Sequence, residues 1–152
     1  MSIVSRSLAA AAFLGLLAPV PAWPGGAMTF PQVVAKNAAY RASWHGLLAE
    51  VPAGDREAGF MRSLAGPATL MLVVRYDGRS YVTGAVCEPR NCAANDVVAL
   101  IVPETGRMYT VQRRRGDVPL RYRFLGHPDA AMQEILIDQA DRSTKHLTEL
   151  PY

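Results

Sequence analysis

Hydrophobic side chains recur at helical spacing in the segment that follows residue 29. Thr29 can serve as an N-cap, and Pro31 suits the first turn of a helix. Pro52 and Gly54 would end the segment. We therefore expect one long helix with a single apolar face, and the residues on that face are Phe30, Val33, Val34, Trp44, Leu47, Leu48 and Val51.

The spacing changes after Gly66-Pro67, where short segments of strand character follow one another. Asp77-Gly78 separates the first two and is a strong hairpin signal, because both central positions of a type I′ turn need positive φ. Short links between neighbouring strands favour an antiparallel meander. The five predicted strands are "ATLMLVVRY", "RSYVTGAV", "DVVALIV", "RMYTVQRR" and "LRYRFL".

Helices flank this run of strands. Asp55 is a candidate cap for a short helix through Leu64, and Asp129 for another from Ala130 to about Ala140. The pattern predicts the α+β class, with about five antiparallel strands in one sheet and helices packed on one side.

The first residues resemble an export signal rather than part of the fold. Arg6 precedes the apolar run "SLAAAAFLGLLAPVPA", and Val20 and Ala22 occupy the −3 and −1 positions of a small-residue cleavage site. A membrane anchor is the alternative, but the run ends at Pro19 and Pro21, short of the roughly 20 residues that span a bilayer. We expect residues 1–22 to be a signal peptide, residues 23–152 a single domain, and the protein to be periplasmic with no membrane contact after cleavage.

Composition and net charge exclude few classes of function. Half of the 152 residues are apolar and 19% are charged, which is enough for a packed core. The formal charge is +3 and becomes +2 without Arg6, which supports no strong claim about partners. The run Arg113-Arg114-Arg115 has no interleaved aromatic platform, so we interpret it as a solvated strand end and expect no nucleic-acid partner.

Both cysteines, Cys87 and Cys92, lie in the connection between the second and third predicted strands. Two cysteines in an exported chain are expected to pair. So short a ring contributes roughly 2 kcal/mol to stability, which makes it a local clamp rather than a staple for the whole fold. A loop that is already rigid loses less entropy on docking into another protein. A clamped hairpin end with no partner is the alternative that the residues leave open.

The motif "YVTGAVCEPRNC" resembles the Ivy family, the inhibitors of vertebrate lysozyme. Members have a strand with a tyrosine, here Tyr81, followed by a C-x-P-x-x-C loop that is most often CKPHDC. The segment "GPAT", residues 66–69, is similar to the family's approach to its first strand. The resemblance spans most of the mature chain and implies a periplasmic inhibitor of c-type lysozyme. Its disulfide-closed loop would enter the glycosidase cleft, and the inhibitory loop would comprise Cys87, Glu88, Pro89, Arg90, Asn91 and Cys92.

This chain departs from the family at the centre of the motif. Arg90 stands where the family has histidine, Asn91 where it has aspartate, and Glu88 where it has lysine. The departure leaves two alternatives: an inhibitor or regulator of the cell's own lytic transglycosylases, and a non-inhibitory envelope protein that keeps the fold. The family includes dimers, so the resemblance also allows a homodimer.

Enzymatic and metal-binding functions have little support in the residue pattern. No pair among His45, His127 and His146 has metal-ligand spacing, and the cysteine spacing is not that of a redox C-x-x-C pair. No carboxylate pair forms a recognisable glycosidase motif. We expect a protein that is not an enzyme, with no cofactor, no metal and no catalytic residue.

Overall fold

A five-stranded antiparallel meander forms the centre of the molecule, as the sequence predicts. The structure is a computed structural model, and it describes residues 27–116 and 119–148. The sheet order follows the chain order without a crossover. The strands are β1 Leu72–Tyr76, β2 Arg79–Cys87, β3 Asn95–Ile101, β4 Met108–Arg114 and β5 Arg121–Leu125.

The β1–β2 hairpin turns where the sequence predicts it. Asp77 and Gly78 both have positive φ, 48° and 74°, as a type I′ turn requires. β1 is shorter than its sequence pattern indicates. Residues 66–69 do not continue β1 but run beside the end of β2, where Ala68 forms an isolated bridge with Val86.

The long first helix predicted from the sequence is two helices, α1 Phe30–Lys36 and α2 Ala38–Leu48. The break is at Asn37, which caps α2: its side-chain oxygen accepts from the backbone N–H groups of Ala39 at 2.9 Å and Tyr40 at 3.1 Å. Asparagine competes for backbone donors in this way, so it starts a helix better than it continues one. The apolar period survives because both helices pack on the same core.

The two other predicted helices are present. A 3₁₀ turn, Arg56–Ala58, leads into α3, Gly59–Ser63. The last helix, α4, runs over Ala130–Thr148 and is longer than the predicted segment that ends near Ala140. Leu147 is fully buried near its end, which explains why the helix continues.

The helices cover both faces of the sheet, so the expected packing on one side is wrong, although the α+β class and the antiparallel sheet are confirmed. α1 to α3 pack on the face that carries Val82, Val97 and Ile101. The other face carries Val98 and Val111, and α4 packs there. Successive residues of a strand point to opposite faces. The whole of β3 is buried for this reason.

The predicted signal peptide, residues 1–22, lies outside the described residues. Within the described ranges, the structure has no helix long and apolar enough to cross a membrane.

Candidate functional site

The cysteine loop joins the end of β2 to the start of β3. Cys87 is the last residue of β2, and a disulfide links it to Cys92 with Cα atoms 4.8 Å apart. Both cysteines are buried on the α4 face of the sheet. The predicted pairing is therefore present, and the disulfide lies in the core while Pro89, Arg90 and Asn91 between the cysteines are exposed.

Backbone hydrogen bonds close the loop a second time. The N–H of Glu88 donates to the carbonyl of Asn95 at 2.9 Å, which extends the β2–β3 ladder beyond the disulfide. The N–H groups of Asn91 and Asn95 donate to the carbonyls of Glu88 and Asn91, each at 2.9 Å. The loop is thus held by main-chain bonds as well as by its covalent clamp.

Glu88 is part of the loop's internal framework. Its carboxylate accepts from the side-chain amide of Asn91 at 2.6 Å and from that of Asn95 at 3.0 Å. The amide of Asn95 also donates to the carbonyl of Glu57 at 2.7 Å. Glu88 therefore ties the loop to the body of the protein.

Residues 66–69, the "GPAT" segment, support the base of the loop from the side. The N–H of Cys87 donates to the carbonyl of Pro67 at 3.0 Å. Gly66 has φ of 145°, and a Cβ at that position would lie 1.9 Å from the carbonyl oxygen of Cys87 and 3.4 Å from Cδ of Pro89. Only glycine fits so close to another backbone at this φ.

The tip of the loop is solvent-exposed at Pro89, Arg90 and Asn91. Arg90 has a left-handed backbone with φ of 65°, a conformation that is costly for an arginine. Its guanidinium makes no hydrogen bond or ion pair with any residue in the described ranges. Glu88, the nearest carboxylate in sequence, is already taken by two amides. The loop thus presents a positive charge that forms no ion pair with any described residue.

A shallow cleft of about 130 Å³ lies between this loop and the ends of β4 and β5. Arg114 and Glu57, which both line this cleft, form an ion pair. The lining residues of the cleft are Glu57, Glu88, Asn91, Ala94, Asn95, Arg114, Arg115, Gly116 and Arg121.

The expectation that Arg113 belongs to a solvated strand end is wrong, although Arg115 next to it is exposed. Arg113 is only 4% exposed. Its Nε donates to Oδ1 of Asp96 at 3.0 Å, and its Nη1 lies 3.2 Å from Oδ1 of Asp141 on α4. β4 lies between β3 and β5 under α4, so an arginine at this position points into the interior.

Asp96 is a buried ionisable residue near the loop that sequence reasoning missed. It is the cross-strand neighbour of Cys87, and burial raises its pKa to about 6 although Arg113 opposes this shift. The only signal in the sequence was an aspartate at the head of an otherwise apolar strand. We interpret the ion pair between Asp96 and Arg113 as part of the support beneath the loop, because neither of these two side chains reaches the surface.

Other candidate chemistry does not converge on the loop. His45, His127 and His146 are all exposed, and no group of three or more metal-ligating side chains occurs in the part of the chain that the structure describes. A second cavity of about 550 Å³ lies at the opposite end of β2, between the turn at Gly78 and the start of α4.

Comparison with known proteins places most of the fold in one family. The family model "Inhibitor of vertebrate lysozyme (Ivy)" matches residues 39–138, a range that includes the whole sheet and the cysteine loop. An uncharacterised protein of Pseudomonas aeruginosa is 26% identical over 146 residues, which cover 88% of this chain and 92% of that protein. The name of that protein assigns it no activity.

Proposed function

This chain belongs to the Ivy family of inhibitors of vertebrate lysozyme, and from that membership we propose that it inhibits c-type lysozyme by inserting the cysteine loop into the active-site cleft. The export signal expected in residues 1–22 supports a periplasmic location. In that compartment the inhibitor would meet lysozyme that enters from outside the cell.

The observation that carries this proposal is the state of Arg90. Its guanidinium is exposed at the tip of a doubly closed loop and is free of any partner among the described residues. A guanidinium donates a forked pair of hydrogen bonds to a carboxylate. Retaining and inverting glycosidases place two carboxyl groups beside the scissile bond. A rigid arginine between them would occupy the substrate site and engage the catalytic groups.

The substitutions around Arg90 are consistent with this role. Relative to the family's usual lysine and aspartate, Glu88 reverses the first charge and Asn91 removes the second, and the two side chains bond to each other at 2.6 Å. Because Asn91 and Asn95 hold the carboxylate of Glu88 on the flank of the loop, its negative charge is not presented at the tip. Arg90 can therefore approach an acidic centre.

A lytic transglycosylase is the second candidate target. These enzymes use a single catalytic carboxylate. The guanidinium of Arg90 can donate two parallel N–H···O hydrogen bonds to the two oxygens of one carboxylate. Unlike the family's histidine, an arginine always carries its charge. Arg90 is thus suited to a target whose one carboxylate is ionised, and such a target would belong to the same compartment as the inhibitor.

Inhibition assays with Arg90 variants test the proposal. We expect the wild type to slow cell-wall lysis by a c-type lysozyme, and Arg90→Ala to weaken inhibition by about 30-fold or more, because truncating one partner of a buried charge pair costs 2–5 kcal/mol. Arg90→Lys, which keeps the charge but loses the fork, should be intermediate. Arg75→Ala, on the exposed surface of β1, is the matched control and should inhibit like the wild type.

The same assay with a lytic transglycosylase separates the alternatives. Inhibition of the transglycosylase alone, lost in Arg90→Ala, would assign the loop to that target. If the wild type slows neither enzyme at micromolar concentration, the protein is an envelope protein that keeps the fold without inhibiting them. If Arg90→Ala inhibits as well as the wild type, Arg90 is not the contact and the insertion proposal is wrong.

A further inference from the structure

Positive charge accumulates beside the cysteine loop, at the end of the sheet where the loop lies. Arg115 follows the last residue of β4, and its backbone N–H donates to the carbonyl of Ala94 on the returning limb of the loop at 2.7 Å. Arg121 is the first residue of β5 and lines the same cleft as Glu88 and Asn91. The side chains of Arg115 and Arg121 are both exposed.

This arrangement is unfavourable for the isolated protein. Arg121 is the cross-strand partner of Arg114, and like charges directly opposite one another destabilise a sheet. Glu57 neutralises Arg114 through an ion pair. No hydrogen bond or ion pair to another described residue does the same for the guanidinium of Arg121 or of Arg115. Among the described residues, the chain thus keeps two exposed guanidinium groups without an ion pair next to its loop.

The charges at the cleft and at the loop tip do not balance. Four arginines, Arg90, Arg114, Arg115 and Arg121, stand against two glutamates, Glu57 and Glu88, which leaves an excess of two positive charges among the described residues. Both glutamates are already engaged, one by Arg114 and the other by two amides. Among the described residues that line the cleft and form the loop tip, the net charge is therefore positive.

We propose that Arg115 and Arg121 form a basic flank to the loop, and that this flank selects target glycosidases whose clefts are rimmed with aspartate and glutamate. The inference rests on the proposed insertion of the loop. That insertion would place Arg90 deep in the active-site cleft of the target enzyme and the basic flank against the rim of that cleft. Complementary rim charges accelerate association, whereas like charges brought together cost several kcal/mol. The flank thus favours an enzyme with an acidic rim over one with a basic rim.

Association kinetics test this inference with two glycosidases that the wild type inhibits, one with carboxylates and one with lysine and arginine around the rim of its cleft. The test variant is Arg115→Gln with Arg121→Gln. The matched control is Arg75→Gln with Arg79→Gln, which removes two exposed arginines around the β1–β2 turn. Arg79 and Cys87 are the two ends of β2, about 26 Å apart at 3.3 Å per residue.

We expect the wild type to associate faster with the enzyme whose rim is acidic. The test variant should associate with it about tenfold more slowly at about 50 mM salt, and the difference should shrink at about 300 mM, because rim charges act mainly on the association rate and are screened by salt. The control variant should match the wild type. Thermal unfolding of each variant shows that the fold is retained.

The outcomes separate this inference from the proposal on which it rests. If Arg90→Ala abolishes inhibition but the test variant associates like the control, the loop inserts and the flank does not select. If the test variant slows association equally with both enzymes, the flank binds without discriminating by charge, and the inference is again overturned. If the wild type binds none of several glycosidases with acidic rims and none of several with basic rims, both proposals are wrong.

Discussion

At the scale of the single residue, the position of Arg90 was predictable but its conformation was not. The C-x-P-x-x-C spacing places an arginine at the tip of a short closed loop. Its positive φ of 65° arises from the turn that the backbone makes between Glu88 and Asn95, which no residue preference of arginine would indicate. The residue that we propose as the main contact is thus held in a backbone conformation that suits glycine better.

Replacement of Arg90 by glycine separates folding from inhibition. We expect Arg90→Gly to unfold with a free energy within about 1 kcal/mol of the wild type, since relief of the left-handed strain offsets the greater entropy of the unfolded chain. The same variant should lose inhibition as fully as Arg90→Ala does. Urea unfolding and the lysis assay provide the two measurements.

An inhibitory Arg90→Gly variant would show that loop shape, and not the guanidinium, blocks the target. A loss of several kcal/mol would instead show that the arginine side chain supports the fold. Arg90→Val is a further control, because a β-branched residue at positive φ is strongly disfavoured; it should be less stable than both.

At the scale of elements, the strands were predictable from the sequence and their packing was not. The hairpin at Asp77-Gly78 and the apolar runs placed all five strands in order. The expectation that helices pack on only one side of the sheet was wrong, and β3 contains the signal against it. Its sequence "DVVALI" is apolar at nearly every position. A strand of that kind is buried on both faces, so it indicates helices on both sides of the sheet. The break at Asn37 likewise depends on a capping side chain within an unbroken apolar period.

The contact between residues 66–69 and the loop base gives a prediction at this scale. Gly66→Ala should lower the free energy of unfolding by more than about 2 kcal/mol, because the new Cβ would meet the Cys87 carbonyl and the φ of 145° is strained for alanine. Inhibition should fall as well, since the loop base must shift. Urea unfolding and the lysis assay measure the two effects.

Gly46→Ala is the matched control for this substitution. Gly46 lies within α2 with open space around it, so alanine there should stabilise the protein by about 0.5–1 kcal/mol through helix propensity. Equal stabilities of the two variants would show that the segment 66–69 moves freely away from Cys87.

At the scale of the whole molecule, a buried ionic group joins α4 to the sheet beneath the loop. Arg113 contacts Asp96 on β3 and Asp141 on α4. The side chain of Asp96 is 1% exposed. No local pattern predicts such a group, because its three members come from three elements that meet only in the folded chain. Removing one member of a buried pair leaves the other uncompensated.

The stability of the protein should depend on pH through Asp96. Burial raises the pKa of Asp96 from 3.8 to about 6 in spite of Arg113. Because the folded state then binds the proton more tightly than the unfolded state, the contribution of this group is fully present below about pH 4 and is lost as the pH rises through about 6. A shift of this size corresponds to about 3 kcal/mol.

Asp96→Asn should remove this dependence, because its amide does not ionise. Between about pH 4 and pH 7.5, we expect the free energy of unfolding of the wild type to fall by about 3 kcal/mol relative to that of the variant. Asp141→Asn is the matched control: its carboxylate is mostly exposed, so it should retain most of the wild-type slope. Urea unfolding across this range measures all three proteins. Parallel wild-type and Asp96→Asn curves would mean that Arg113 keeps Asp96 ionised throughout, so that the ion pair outweighs the burial of its carboxylate.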